Sequence, residues 1–311
     1  MAEPAYLALV RSGELKERVA QAYRRLERCD ICPRRCGVNR RAGELGICRT
    51  AEQAVISSYG PHFGEEAPLV GVGGSGTVFF THCNLRCQFC QNYEISQLGE
   101  GRPVRTDQLA AVFLRLQDMG CHNVNLVSPT HVVPQILAAL LVAAEHGLRL
   151  PLVYNTGGYD ALETLALLDG VVDIYMPDMK YADAAIAERY SKVPNYPAVN
   201  QAAVKEMHRQ VGDLVLDERG IATRGLLVRH LVLPEGLAGT AEIARFLAES
   251  VSRDTYINVM DQYRPCYKAD SLPPLNCRIT PDEYRAAVQM VTDAGLHRLD
   301  DRMQRWAWLI R

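Results

Sequence analysis

At 311 residues, 48% of them apolar, the chain is long enough for one large α/β domain with an appendage, which excludes disorder and fibrous architectures. Lys and Arg total 34 against 36 Asp and Glu, a formal charge of −2, so no global field attracts polyanions and a nucleic-acid substrate is unsupported. The amino terminus shows no cationic segment leading into an apolar one, and no run reaches the roughly 18 uninterrupted apolar residues of a membrane span. A cytoplasmic location without membrane partners is the expectation.

Apolar positions recur at helical spacing from Leu7 to Arg28, predicting one or two leading helices that carry no evident chemistry. Next come Cys29-Asp-Ile-Cys32-Pro-Arg-Arg-Cys36 and Gly43-Glu-Leu-Gly-Ile-Cys48, a stretch with little periodicity that needs a staple to be ordered. Seven of the ten cysteines fall in this group and a second one further on, which reads as metal binding in a reducing compartment rather than as disulfides. Cys29, Cys32, Cys36 and Cys48 supply enough thiolates to saturate either a tetrahedral zinc or a four-iron cluster. A saturated site does not bind substrate, so it is a structural knot or an electron relay, and spacing alone leaves both open. Arg34, Arg35, Arg40 and Arg41 would offset thiolate charge. This N-terminal helical and metal-binding region is expected to span residues 1–70, and the main domain 71–311.

From Thr77 onward, short β-branched or apolar runs alternate with helical patterns, the signature of repeated βα units on a parallel sheet. Strands are predicted at Thr77–Thr81, Asn123–Val127, Leu152–Tyr154, Val172–Met176, Gly225–Leu233 and Tyr256–Met260. Helices are predicted at Thr106–Met119, Val132–His146, Tyr159–Leu168, Ala182–Tyr190, Pro197–Gln210, Thr240–Val251 and Pro281–Ala294. Six such units are too few to close an eight-stranded barrel.

After the first of these strands stand Cys83, Cys87 and Cys90, in Thr81-His-Cys-Asn-Leu-Arg-Cys-Gln-Phe-Cys-Gln-Asn92. Thiolates this close chelate a compact metal centre, and three of them leave one iron of a four-iron cluster open to an external ligand. A catalytic zinc also keeps three protein ligands, but usually draws them from separated segments. The triad, the strand before it and Phe89 just before the third cysteine resemble the motif of radical S-adenosylmethionine enzymes. Within that superfamily the chain is similar to the activating enzymes of glycyl-radical enzymes, pyruvate formate-lyase activases among them, over about Gly71 to the C-terminus.

That resemblance implies an open partial (β/α)6 barrel of TIM-like type, with the cluster loop at the carboxyl ends of the strands. It implies that S-adenosylmethionine ligates the open iron of a 4Fe–4S cluster. It further implies that one electron from a donor such as flavodoxin or ferredoxin cleaves the cofactor to a 5′-deoxyadenosyl radical, which abstracts hydrogen. The implied target is a glycine of a partner glycyl-radical enzyme. The same chemistry on a small molecule, peptide or nucleotide is the alternative, and a non-enzymatic iron–sulfur or zinc protein is a third.

The strand ends carry further candidates. Ser128-Pro-Thr-His131 follows the second strand, where many of these enzymes hold the methionine amino group, so Ser128 or Thr130 can supply an acceptor oxygen; Thr130 as a helix cap is the plainer reading. Asn155-Thr-Gly-Gly158 follows the third and is similar to the activases' Asp-Thr-Asn-Gly, with an amide where a carboxylate would stand. Asp178-Met-Lys180 follows the fourth and matches their Asp-x-Lys element, in which the lysine pairs with the cofactor carboxylate. The fifth strand carries Arg229-His230, and the sixth runs into Gln262-Tyr263-Arg264-Pro265-Cys266. A thiol at Cys266 can donate a hydrogen atom in a radical site, whereas an isolated cysteine is more often a small buried apolar residue.

Overall fold

The computed structural model describes residues 3–300. The leading helical stretch is two helices, α1 (Tyr6–Ser12) and α2 (Glu14–Arg24), broken at Gly13, whose φ of 81° only glycine adopts cheaply. Strand β1 (Ala54–His62) and the short α3 (Ala67–Val70) precede β2 (Ser75–Phe80), and β3 (Arg102–Val104) follows the cysteine loop. The βα units then run α4 (Thr106–Asp118), β4 (Val124–Val127), α5 (Val133–Glu145), β5 (Leu152–Thr156), α6 (Leu162–Leu168), β6 (Ile174–Pro177), α7 (Ala184–Ser191) and α8 (Tyr196–Val211). They end with β7 (Val215–Leu216), β8 (Ala222–Leu231), α9 (Thr240–Ser250), β9 (Tyr256–Met260), α10 (Pro281–Asp293) and β10 (Arg298–Leu299).

The strands form one sheet in the order β10-β9-β8-β6-β5-β4-β2-β1-β3, with β7 on β8. Pairing from β2 through β9 is parallel throughout, and the sheet stays open, which is the expected partial barrel. Alternation along each strand sends side chains to two faces. Leu152, Tyr154, Tyr175, Leu226 and Val228 join the large core under the helices, whereas Val153, Ile174, Met176 and Leu227 pack with Leu69 of α3 on the opposite, concave face. Thus α3 plugs the barrel from inside.

The antiparallel edge was not predicted. Within β1 lie Gly60 and Pro61, which break any strand pattern in the sequence; both sit at an edge of the parallel array, where proline is tolerated. Because β1 pairs with β2 and β3, residues 54–62 continue the same sheet as the residues after 71. The helix predicted from Tyr159 starts at Leu162, since Asp160 is held elsewhere.

The base of the barrel holds a carboxylate with a measurable signature. Asp173 is 3% exposed and accepts from the backbone N–H groups of Ala5 and Leu152, both at 2.8 Å, tying α1 to the sheet. Burial makes it a weaker acid, pushing its pKa up from 3.8 to about 6. The folded protein therefore keeps a proton that the unfolded chain has already lost, and stability falls as pH rises from 4 to 6. The stabilisation lost over that range is on the order of 3 kcal/mol. Denaturant titrations at several pH values should show this slope in the wild type and its loss in Asp173→Asn.

Candidate active site

The turn after β2 carries Cys83, Cys87 and Cys90, and it is fastened by backbone bonds from Arg86 N–H to Ser191 O (3.1 Å), Gln88 N–H to Tyr190 O (2.7 Å) and Lys268 N–H to Gln88 O (2.9 Å). Each sulfur has a hydrogen-bond partner. Leu85 N–H donates to Cys83 Sγ at 3.4 Å, Ser191 Oγ to Cys87 Sγ at 3.0 Å, and Ser96 Oγ lies 3.1 Å from Cys90 Sγ. Tyr181 OH stands 2.8 Å from Ser191 Oγ, and Gln97 donates to Ser96 Oγ at 3.1 Å. Phe89 is 5% exposed and meets Tyr181 and Tyr263 edge-on, so the loop rests on an aromatic bed.

Burial pushes the Cys83 thiol up to about 12 and raises Cys87 too, where nearby Lys180 opposes the shift. These thiols are neutral without a metal, and metal binding must release their protons. Among the described residues no three His, Cys, Asp or Glu side chains crowd together as around a single ion. The fit of the triad to a cluster therefore rests on its donor set: free thiols in one turn, each with a hydrogen-bond partner at sulfur. Such bonds favour the more negative, reduced state of an iron–sulfur centre. Ser191→Ala should make the midpoint potential of the triad's cluster more negative, read by a redox titration followed by electron paramagnetic resonance.

Beside the triad lies a buried charge network. Asp178 Oδ2 is 2.5 Å from Lys180 Nζ, Arg229 Nε donates to Asp178 Oδ1 at 2.9 Å, and another Arg229 nitrogen donates to Asn155 Oδ1 at 2.7 Å. Burial alone would raise Asp178, but Arg229 and Lys180 outweigh it and hold the carboxyl below its usual range. Lys180, which burial would neutralise, is kept charged by Asp178. Because position 155 is an amide, these four residues carry two cations against one anion. Glu66 and Glu65 also act on Arg229, so the strand ends hold cations and carboxylates together. Gly158 lets the β5 turn approach: its φ is 75°, and a Cβ there would lie 2.2 Å from Asp178 O.

The other candidates are placed as follows. Ser128 has a φ of 60° and its N–H donates to Asn155 O at 2.9 Å, so it lies against the network. Thr130 caps nothing. Its hydroxyl is 2.7 Å from Asp160 Oδ1 and 3.0 Å from Thr156 Oγ1, in a buried knot that Tyr154 OH completes at 2.9 Å. Cys266 is half-buried, and its segment is carried against the triad loop by the Lys268–Gln88 bond. Sequence reasoning missed Ser191, Ser96 and Tyr181, whose roles come from contacts across the fold.

Cys29, Cys32, Cys36 and Cys48 line one small enclosed cavity with Arg40 and His131. Burial first, then the three other cysteines, push the Cys32 thiol up to about 12.

The Radical SAM superfamily matches residues 77–259, and the chain belongs to it. An uncharacterized protein of Methanocaldococcus jannaschii is 33% identical over 305 residues, covering 95% of this chain and 83% of that one. A second uncharacterized protein of that organism is 24% identical over 289 residues, covering 83% and 78%. Among solved structures, a radical SAM methyltransferase from Sphaerobacter thermophilus aligns at 15% identity with a TM-score of 0.49, covering 71% of this chain and 64%, under two thirds, of its own length. TYW1 with a lysine-pyruvate adduct aligns at 9% identity with a TM-score of 0.44, covering 70% and 73%. Membership implies a 4Fe–4S cluster and S-adenosylmethionine, and a radical SAM enzyme. Among the described residues no helix is long and apolar enough to cross a membrane.

Proposed function

We propose that Cys83, Cys87 and Cys90 hold the 4Fe–4S cluster and that the adjoining strand ends hold S-adenosylmethionine for reductive cleavage and hydrogen abstraction. When bound, the cluster supplies one electron to the sulfonium, giving methionine and a 5′-deoxyadenosyl radical. The observation carrying this reading is the buried charge network of Asp178, Lys180, Arg229 and Asn155 beside the triad, which offers cations and acceptor oxygens together. Lys180 and Arg229 would attract the cofactor's carboxylate, Asp178 and Asn155 Oδ1 would accept from its ammonium, and Phe89 with Tyr181 and Tyr263 would exclude water from the cluster loop. Ser128 lies within this group, and Cys266 on the flank facing the substrate. Thr130 acts at one remove, by holding Asp160 and Thr156.

For the target, the reading is a glycyl-radical enzyme, with a flavodoxin- or ferredoxin-class protein as electron donor; it rests on the resemblance of Asp178-Met-Lys180 to the cofactor-holding element of the activases. The test is anaerobic incubation with S-adenosylmethionine, reductant and a glycyl-radical enzyme from a source that also encodes this chain. A stable glycyl doublet in the electron paramagnetic resonance spectrum is expected. Deoxyadenosine formation with no doublet, or transfer of substrate deuterium from a small molecule instead, would transfer the target to that molecule.

A further inference from the structure

Three guanidinium groups have no carboxylate partner among the described residues: Arg40 lines the four-cysteine cavity, and Arg34 and Arg86 each reach from one cysteine group to the backbone of the other. Arg40 is 1% exposed. It donates to Ala51 O at 3.1 and 3.0 Å and to His131 O at 2.7 Å, and stands 3.9 Å from Cys29 Sγ. A guanidinium taken out of water without a counter-anion is costly, and neutral thiols do not offset it. Metal-bound thiolates do.

Arg34, two residues after Cys32, reaches Asn84 O at 2.9 Å, next to Cys83, and Lys192 O at 2.7 Å; its second terminal nitrogen is buried with no partner. Arg86, beside Cys87, donates to Ile47 O, next to Cys48, and to Gln97 Oε1 at 3.1 Å. His131, which lines the cavity, has a buried Nδ1 with no partner, and its Nε2 is 3.0 Å from Thr81 O, at the start of the triad loop. One buried, unpartnered nitrogen of His131 and one uncompensated buried cation, Arg40, thus line the cavity of the four thiols.

We propose that Cys29, Cys32, Cys36 and Cys48 bind a second, fully cysteine-ligated four-iron cluster, and that the wedge of Arg34 and Arg86 couples it to the triad so that it relays electrons inward. Zinc would satisfy Arg40, but it carries no electron, and it would give no use to a cationic wedge shared with the triad. One electron from a low-potential flavodoxin-class donor reduces the N-terminal cluster; the same electron passes to the triad's cluster, which is reduced as the first is reoxidised. No atom or proton changes hands. The relay rests on the reading of the triad as the radical-generating centre, whereas the second cluster does not.

The full chain with Cys83, Cys87 and Cys90 all replaced by Ala separates the two. After anaerobic reconstitution with iron and sulfide it should retain about four irons and four sulfides, with a paramagnetic signal on reduction. Bound zinc with no such signal would overturn the cluster whatever the triad does. In the otherwise intact chain, Arg86→Gln should move both midpoint potentials to more negative values, and Arg86→Lys should restore them; a shift at one cluster alone, or none, overturns the wedge. In Cys32→Ala/Cys48→Ala, reduction of the triad's cluster by flavodoxin should be lost while dithionite still reduces it. Reduction by flavodoxin at the wild-type rate overturns the relay.

Discussion

Cys87→Ala leaves the protein unable to cleave S-adenosylmethionine, with 5′-deoxyadenosine at the background level. The middle cysteine of the triad is the one most enclosed by protein: its sulfur is buried, accepts from Ser191 Oγ at 3.0 Å, and sits in a loop locked to Tyr190 and Ser191 by backbone bonds. Replacing it removes one of three ligands from a centre that has no spare one, so the cluster is lost rather than altered. The fold survives, because the loop keeps its backbone anchors and a methyl group fills most of the space. Iron analysis beside the activity assay checks this: a fall of about four irons per chain, with circular dichroism unchanged, is the expected result. Undiminished cleavage would remove the triad from the reaction.

Asp178→Ala should lower the stability of the folded chain by about 3–5 kcal/mol, the range for stranding a buried charge. Asp178 bridges two buried cations, bonded to Lys180 at 2.5 Å and to Arg229 at 2.9 Å. Truncation leaves Lys180 without its carboxylate partner and Arg229 with only the more distant Glu66 and Glu65, in a site only 13–19% exposed at its side chains. Adding Arg229→Met to that variant should recover part of the loss, because one cation fewer is stranded. Urea denaturation of the three proteins measures both effects. A loss below about 1 kcal/mol, the scale of an exposed ion pair, would show that water reaches the network.

How much of this was legible in the sequence follows from how local each feature is. The triad was legible because chelation by one turn is written in consecutive residues, and the parallel strands because Val124–Val127 and Tyr256–Met260 are short, mostly apolar runs set between helical patterns, each interrupted by a single Asn. Strand β1 was not, since Ser57, Ser58, Gly60 and Pro61 suit an edge partner that only the fold supplies. At the site, Asp178 and Lys180 were legible as neighbours in one extended segment. The bond from Arg229 to Asn155 joins residues 74 apart, and that from Ser191 to Cys87 residues 104 apart, so no local pattern announces them. Thr130 illustrates the converse. Its place before a helix suggested a cap, but the buried carboxylate of Asp160, itself brought there by β5, takes its hydroxyl.

The measurement that tests the account most directly is 5′-deoxyadenosine formation by the wild-type chain, reconstituted anaerobically, reduced with dithionite and mixed with S-adenosylmethionine. The account predicts deoxyadenosine and methionine in equal amounts, dependent on both reductant and cofactor. A reduced, intact cluster at Cys83, Cys87 and Cys90 that yields no deoxyadenosine, alone or with a glycyl-radical enzyme added, would contradict it.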